Sequence, residues 1–220
     1  MLSRGLPVLR IIFLLGLVLP VAGCMSLRPA IRQSGPAATA LTRSWRKQIL
    51  KAAQDGDWLV IRGYNSTGHL VAVAGNAELS HVGILDVTHA EVIEAVSPAV
   101  CVISLQEFLE DADRVLLVRP AHADRASGRQ ALAKARSQIG ASYDLLGTIG
   151  LPDQDKFYCS ELAAWSVGME VDREGPAEVL HPAGMPKFGT VLFDSDLRRS
   201  LFPKLSSGTV SLATGQPVNP

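Results

Sequence analysis

The stretch "DKFYCSELAAW", Asp155 to Trp165, places one cysteine, Cys159, at the start of a predicted amphipathic helix. Unpaired cysteines are often buried structural residues, so core packing is one interpretation. The other is catalytic, because N–H groups and the dipole at a helix start stabilise a thiolate, the nucleophilic form of cysteine. The side chains of Leu162, Ala163 and Trp165 define an apolar face. We expect this face to pack on a sheet, and the sheet residue opposite Cys159 to decide between the interpretations.

Upstream of this helix the chain alternates short apolar runs with turns. Strands are predicted at residues 57–61, 80–85, 91–96, 100–105 and 114–120. Helices are predicted at residues 42–54, 106–113 and 123–140. Residues 69–79 could form a helix or a strand, and their alanines favour a helix. The strands follow one another as hairpins and the helices group before and after them. This order predicts an α+β fold with an antiparallel sheet packed on the helix that carries Cys159.

The hairpin "SHVGILDVTHAEVIEAV" supplies candidate partners for Cys159. If its turn is centred between Val87 and Thr88, His81 faces Glu94 directly across the two strands. Such neighbours lie ~4.5–5.5 Å apart at Cβ, within reach of an imidazole–carboxylate hydrogen bond. In the same register Glu91 points to the other face. A slip of one residue would separate His81 from Glu94, so the prediction depends on register.

Cys159, His81 and Glu94 have the chemistry of a nucleophile, its base and a group that orients the base. Each also has an ordinary alternative, since a histidine that begins a strand and a strand carboxylate are often surface residues. The remaining histidines show neither HExxH nor paired-cysteine spacing, so we expect no metal. A phosphate-binding glycine loop is also missing, and we expect no cofactor.

Composition restricts the class of partner. The 220 residues carry 21 basic and 21 acidic side chains and are 47% hydrophobic, which is typical of a globular domain without a polyanion-binding surface. Nucleic acid is therefore excluded as an expected partner.

The N-terminus has the pattern of an export signal. Two arginines precede an apolar run that is too short to span a bilayer, and the run ends in "VAGC", with Cys24 last. This ending resembles the lipobox of bacterial lipoproteins, in which the cysteine receives a lipid anchor. An ordinary signal peptide ending near a cysteine is the alternative. Because Met25 is not an aspartate, the resemblance implies the periplasmic face of an outer membrane.

Segments rich in small residues divide the chain. We predict a signal peptide at residues 1–23, lipidated Cys24 and a flexible tether at 24–42, a domain at 43–204 and a flexible tail at 205–220. Cys101 lies in a predicted strand. In an oxidising compartment it could pair with Cys159, although a buried free thiol is the simpler prediction.

Five motifs occur in the order "GDWLVIRG", "SHVGIL", "VIEAVSP", "GASYD" and "KFYCSEL". Together they resemble the YiiX/YebB-like family of circularly permuted NlpC-type cysteine hydrolases, which have a papain-like fold. The resemblance implies Cys159 as nucleophile, His81 as base and Glu94 as orienting acid. It implies that four residues lie beside the site, where the substrate binds: Tyr158, Tyr143, Ser80 and Asp57. Of these, Asp57 would have a structural role. The part after Val171 matches only loosely.

The resemblance implies an amidase or peptidase, and the envelope signal points to amide bonds of cell-wall peptides as substrate. Two alternatives stay open. One is lipid acyl hydrolysis or transfer through a cysteine thioester, and the other is a binding module that has lost catalysis.

Overall fold

The computed structural model describes residue 32 and residues 34–64, 79–173 and 175–196. The helices of these residues are α1 (Pro36–Ala52), α2 (Leu105–Glu110), α3 (Arg125–Arg136) and α4 (Cys159–Ser166). The strands are β1 (Trp58–Gly63), β2 (His81–Asp86), β3 (Glu91–Val96), β4 (Ala99–Ser104), β5 (Ala112–Pro120) and β6 (Gly189–Asp194). Two 3-10 helices in the same ranges occupy Gly147–Ile149 and Pro182–Phe188.

The six strands form one sheet in the order β4-β3-β2-β1-β5-β6, and each neighbouring pair is antiparallel. Strand β6 was not predicted from the sequence; it pairs with β5 at the edge. The predicted α+β class and antiparallel sheet are confirmed. No helix within the described ranges combines the length and apolar character that a membrane span needs.

The sheet is buried on both faces, which explains why its central strands are apolar at nearly every position. On one face, residues such as Val82, Ile84 and Ile93 pack with Leu162 and Ala163 of α4. On the other face, Leu59, Leu85 and Val92 pack with α1 and with Phe108 of α2. The helix that carries Cys159 and the first helix therefore lie on opposite sides of the sheet.

Helix α1 begins at Pro36, inside the segment that the sequence assigned to the tether. Proline is favourable in the first turn because its missing N–H has no partner there. Ala38 and Thr42 are buried, so the helix extends to this point by packing on the domain. Several predictions fall outside the described residues: the signal peptide, Cys24, nearly all of the helix at 69–79 and the tail at 205–220.

Candidate active site

Helix α4 begins at Cys159 and presents that residue to the sheet. Tyr158 precedes the helix as its N-cap residue, and the Glu161 carboxylate accepts a hydrogen bond from the Tyr158 N–H at 3.2 Å. The helix packs against β2 and β3. Cys159 is 6% exposed, so its sulfur is shielded from solvent but lies at the positive end of the helix.

The predicted register of the β2–β3 hairpin is wrong by two residues. Ile84 pairs with Ile93 and Asp86 pairs with Glu91, so the turn is centred between Thr88 and His89. Asp86 stabilises this turn, since its carboxylate accepts the His89 N–H at 2.9 Å. Side chains alternate with a period of two, so an even shift still puts His81 and Glu94 on one face and Glu91 on the other. Contrary to the prediction, that face is not the one that α4 covers, because His81 pairs with Ile61 and its ring centroid lies 5.8 Å from that of Phe108.

His81 and Glu94 meet as a diagonal pair instead of a directly opposed pair. Continued beyond its last pair, Ile84–Ile93, the observed register would put Glu94 across from Gly83, two positions along β2 from His81. The long glutamate side chain covers the difference, and Glu94 Oε2 is 2.6 Å from His81 Nε2. Both side chains are only 10% exposed.

Cys159 lies where β2 and β3 separate. Within these strands the pairing ends at Ile84–Ile93, and beyond that point the Val82 N–H donates a hydrogen bond to Cys159. Cys159 also hydrogen-bonds with His81. Because Nε2 of the imidazole faces Glu94, Nδ1 is the nitrogen left for the thiol. The structure thus brings Cys159, His81 and Glu94 into one connected set.

The electrostatics of this set favour a thiolate beside an imidazolium. Burial alone would lower the pKa of His81, but hydrogen bonds and charges of Cys159 and Glu94 outweigh it and raise the pKa to about 10. Burial alone would raise the pKa of Cys159, but the hydrogen bond and charge of His81, with the Val82 N–H, hold it below its usual value. Both shifts favour transfer of the thiol proton to the histidine.

Two predicted aromatic residues flank Cys159 but differ in their contacts. Tyr158 is 5% exposed and its hydroxyl accepts the Leu180 N–H at 3.1 Å, which attaches the segment before β6 to α4. Burial raises the pKa of Tyr158 to about 12. Tyr143 is half-buried, and burial together with the nearby Cys159 raises the pKa of its phenol. Tyr143 therefore stays protonated beside the sulfur and is the better placed of the two to face a substrate.

The other two predicted residues have structural contacts. Ser80 is buried, and its hydroxyl accepts the Gly63 N–H at 3.0 Å, which joins β1 to the start of β2. Asp57 is fully buried and accepts two hydrogen bonds from Arg119, at 3.0 and 2.9 Å. His81 pairs with Ile61, about 13 Å along β1 from Asp57. The expectation that Asp57 lies beside the site is therefore wrong.

Cys101 lies directly across from Glu94 on β4, and both Cys101 and Cys159 are free thiols. Burial and the charge of Glu94 raise the pKa of Cys101, opposite to the shift at Cys159. Cys101 is only partly buried.

A buried ion pair under the start of α4 was missed from the sequence. Glu161 is fully buried, and Arg173 Nε lies 2.8 Å from its carboxylate. Arg173 also stacks on Phe157, with its guanidinium carbon 4.1 Å from the ring centroid, and donates to the Lys156 carbonyl at 2.6 Å. Burial raises the pKa of Glu161 to about 7. The sequence signal was the glutamate two residues after the cysteine, in a helix that is otherwise apolar.

Among the described residues, one group of side chains has the spacing of a metal site: Asp86, His89 and Glu91. It lies at the hairpin turn, at the end of β2 away from His81. Arg136 contacts Asp86 at 2.6 Å and Glu91 at 2.7 Å, so a guanidinium already neutralises both carboxylates. A cation at this turn would have to displace Arg136.

A cysteine at a helix start, hydrogen-bonded to a histidine on an antiparallel sheet, defines the papain-like class of cysteine hydrolases. The chain belongs to the permuted papain-like amidase family YaeF/YiiX, C92, whose model matches residues 53–175. The match includes the strands with His81 and Glu94 as well as Cys159. The helix with Cys159 follows the strands of His81 and Glu94 in the chain, with only β6 of the sheet after it.

One solved structure that is similar in part is described as the metalloprotein yiiX from Escherichia coli O157:H7. The two chains are 21% identical, with a TM-score of 0.45 over 52% of this chain and 64% of that one. This chain therefore covers less than two thirds of that protein. The comparison with curated proteins found no match.

Proposed function

We propose that this cysteine hydrolase is an envelope-anchored amidase that uses Cys159, His81 and Glu94 as its triad and cleaves amide bonds in cell-wall peptides. The observation that carries the proposal is the connected buried set, in which Glu94 lies 2.6 Å from His81 and His81 hydrogen-bonds with Cys159. The amidase family supports an amide substrate. The lipobox-like ending at Cys24 supports a location beside the cell wall.

The chemistry follows from the ion pair. The Cys159 thiolate attacks the carbonyl carbon of the scissile amide, and the carbonyl π electrons move to oxygen. As the tetrahedral intermediate collapses, the C–N bond breaks and His81 gives its proton to the leaving amine. Water, deprotonated by the now neutral His81, then cleaves the thioester and regenerates the thiolate and imidazolium. Glu94 holds the imidazole in place and stabilises its positive charge throughout.

The two described thiols provide an internal test of activation. Their pKa values shift in opposite directions, so iodoacetamide near pH 7 should modify Cys159 much faster than Cys101. Mass spectrometry of peptides after short labelling times measures both rates in one sample. Replacement of His81 by alanine should slow labelling of Cys159 and leave Cys101 unchanged. Equal labelling of both cysteines in the wild-type protein would contradict an activated Cys159.

The substrate is tested by product identification. The purified protein is incubated separately with digested peptidoglycan and with phospholipids, and products are identified by mass. We expect new free amines from the peptides, and none with Cys159→Ala. Cys101→Ala is the matched control, since it removes the other thiol and should retain turnover. Release of fatty acid without new amines would refute the amidase and favour acyl-ester cleavage by the same cysteine.

A further inference from the structure

We propose that the segment Leu145–Leu151, called here the leucine loop, is a lipid-docking surface that seats the domain on the bilayer. Four of its side chains are large, aliphatic and exposed: Leu145 at 64%, Leu146 at 57%, Ile149 at 69% and Leu151 at 50%. Only three other large apolar side chains in the described ranges are exposed, each less than these four and each in a different segment: Ile139, Phe188 and Val191. The inference goes beyond the proposed hydrolysis and does not depend on it, but it rests on the membrane anchor proposed at Cys24.

The exposure is a built feature of the loop. The buried carboxylate of Asp144 accepts the Gly147 N–H within the loop and the Asp153 N–H just after it, each at 2.8 Å. A Cβ at Gly147 would lie 2.4 Å from that carboxylate, so the tight approach requires glycine. The Gly150 carbonyl accepts the Ala177 N–H at 2.9 Å. These bonds hold the backbone against the domain while the aliphatic side chains point outward.

The shape and charge of the loop favour lipid as its occupant. The four side chains project outward from one short segment, as the apolar side chains of interfacial anchors do, and the charged residues of 145–155 are two aspartates, Asp153 and Asp155. Asp153 near the loop is paired with Lys156 at 2.6 Å. Docking would therefore come from apolar insertion and would depend little on anionic headgroups or salt.

The chain outside the described residues places lipid within reach. The apolar N-terminal run ends at Cys24, eight residues before Arg32, which the structure places against Asp111. Eight extended residues span at most about 28 Å, less than the ~40 Å that a domain of this size measures across. A bilayer that holds the N-terminus is thus near enough for the domain to touch. A Cβ at Gly147 would lie 3.0 Å from the Tyr158 ring, so the leucine loop packs beside the residue that precedes Cys159, and docking there would bring the site close to the lipid surface.

Fluorescence quenching tests the proposal with the full chain bound to phosphatidylcholine vesicles. Leu146→Trp places a reporter in the loop, and Val191→Trp is the matched control on β6, at the edge of the sheet opposite β4. Wild-type emission is subtracted for the native tryptophans. With brominated acyl chains, Leu146→Trp should lose emission because interfacial groups lie ~5–10 Å deep. Val191→Trp should keep its emission.

A second pair of variants tests which side chains cause docking. On the Leu146→Trp background, Leu145→Ser with Ile149→Ser should lower the docked-to-undocked ratio by about 10- to 100-fold and restore emission. Val191→Ser on the same background should not. Quenching of Leu146→Trp no greater than that of Val191→Trp overturns the proposal. A blue shift of Leu146→Trp without bromine quenching also overturns it, since a protein surface, another copy included, would then cover the loop.

Discussion

Glu94→Gln is the substitution that most directly tests the arrangement of the site. The amide keeps the size of the side chain and one hydrogen-bonding oxygen, but it removes the charge 2.6 Å from His81 Nε2. Because both side chains are only 10% exposed, water cannot replace that charge. The amide can also hold the imidazole in an unproductive tautomer.

The expected loss of kcat/KM in Glu94→Gln lies between two limits. Replacing a charge-assisted hydrogen bond by a neutral one costs about 1–1.5 kcal/mol, which is roughly a 10-fold loss of kcat/KM. Leaving a buried charge uncompensated costs about 3–5 kcal/mol, and the middle of that range corresponds to roughly a 1000-fold loss of kcat/KM. The loss should stay below the ~10⁴-fold of a serine triad, because a preformed thiolate needs less help from its base.

Glu91→Gln is the matched control, since Glu91 lies on the same strand but on the other face and contacts Arg136 at 2.7 Å. Its side chain is 37% exposed, so the rate should change little and the free energy of unfolding by about 1 kcal/mol or less. The assay is kcat/KM of both variants on a substrate that the wild type cleaves, with folding checked by circular dichroism. A crippled Glu91→Gln, or near-normal activity of both variants, would refute the reasoning.

Three further predictions follow from the site and the N-terminus. As His81 loses its proton near pH 10, kcat/KM should fall, because no acid then protonates the leaving amine. The rate of alkylation of Cys159 should stay high over the same pH range. A decline of kcat/KM and of the alkylation rate together would contradict this prediction. Arg173→Met should cost about 3–5 kcal/mol of unfolding free energy at pH 8. This loss of unfolding free energy should be smaller at pH 6, where Glu161 is protonated, and adding Glu161→Gln to Arg173→Met should recover part of the loss. Denaturant melts at both pH values measure the unfolding free energies. Cys24→Ser should release the protein from the membrane fraction, and an unmodified Cys24 in wild-type protein from an envelope would refute lipidation.

Local patterns in the sequence determined much of the site. A period of two along β2 and β3 puts His81 and Glu94 on one face and Glu91 on the other. Because faces depend only on parity, this result survived an error of two residues in register. Helix spacing around Cys159 likewise predicted a helix packed on the sheet.

Tertiary structure alone decided the features that join segments distant in the chain. Asp57 follows a turn and precedes a strand, but only the pairing of β1 with β2 shows that it lies at the far end from His81. Strand β6 depends on β5 for its partner, and Arg173 meets Glu161 only through the fold. The exposure of the leucine loop was equally unreadable, since apolar residues in sequence predict burial and only the bonds to Asp144 turn them outward. Periodicity thus determines on which face of its strand or helix a side chain lies. Which strand ends meet in the fold, and which apolar side chains stay exposed, depends on contacts between segments distant in the chain, and no local pattern contains these.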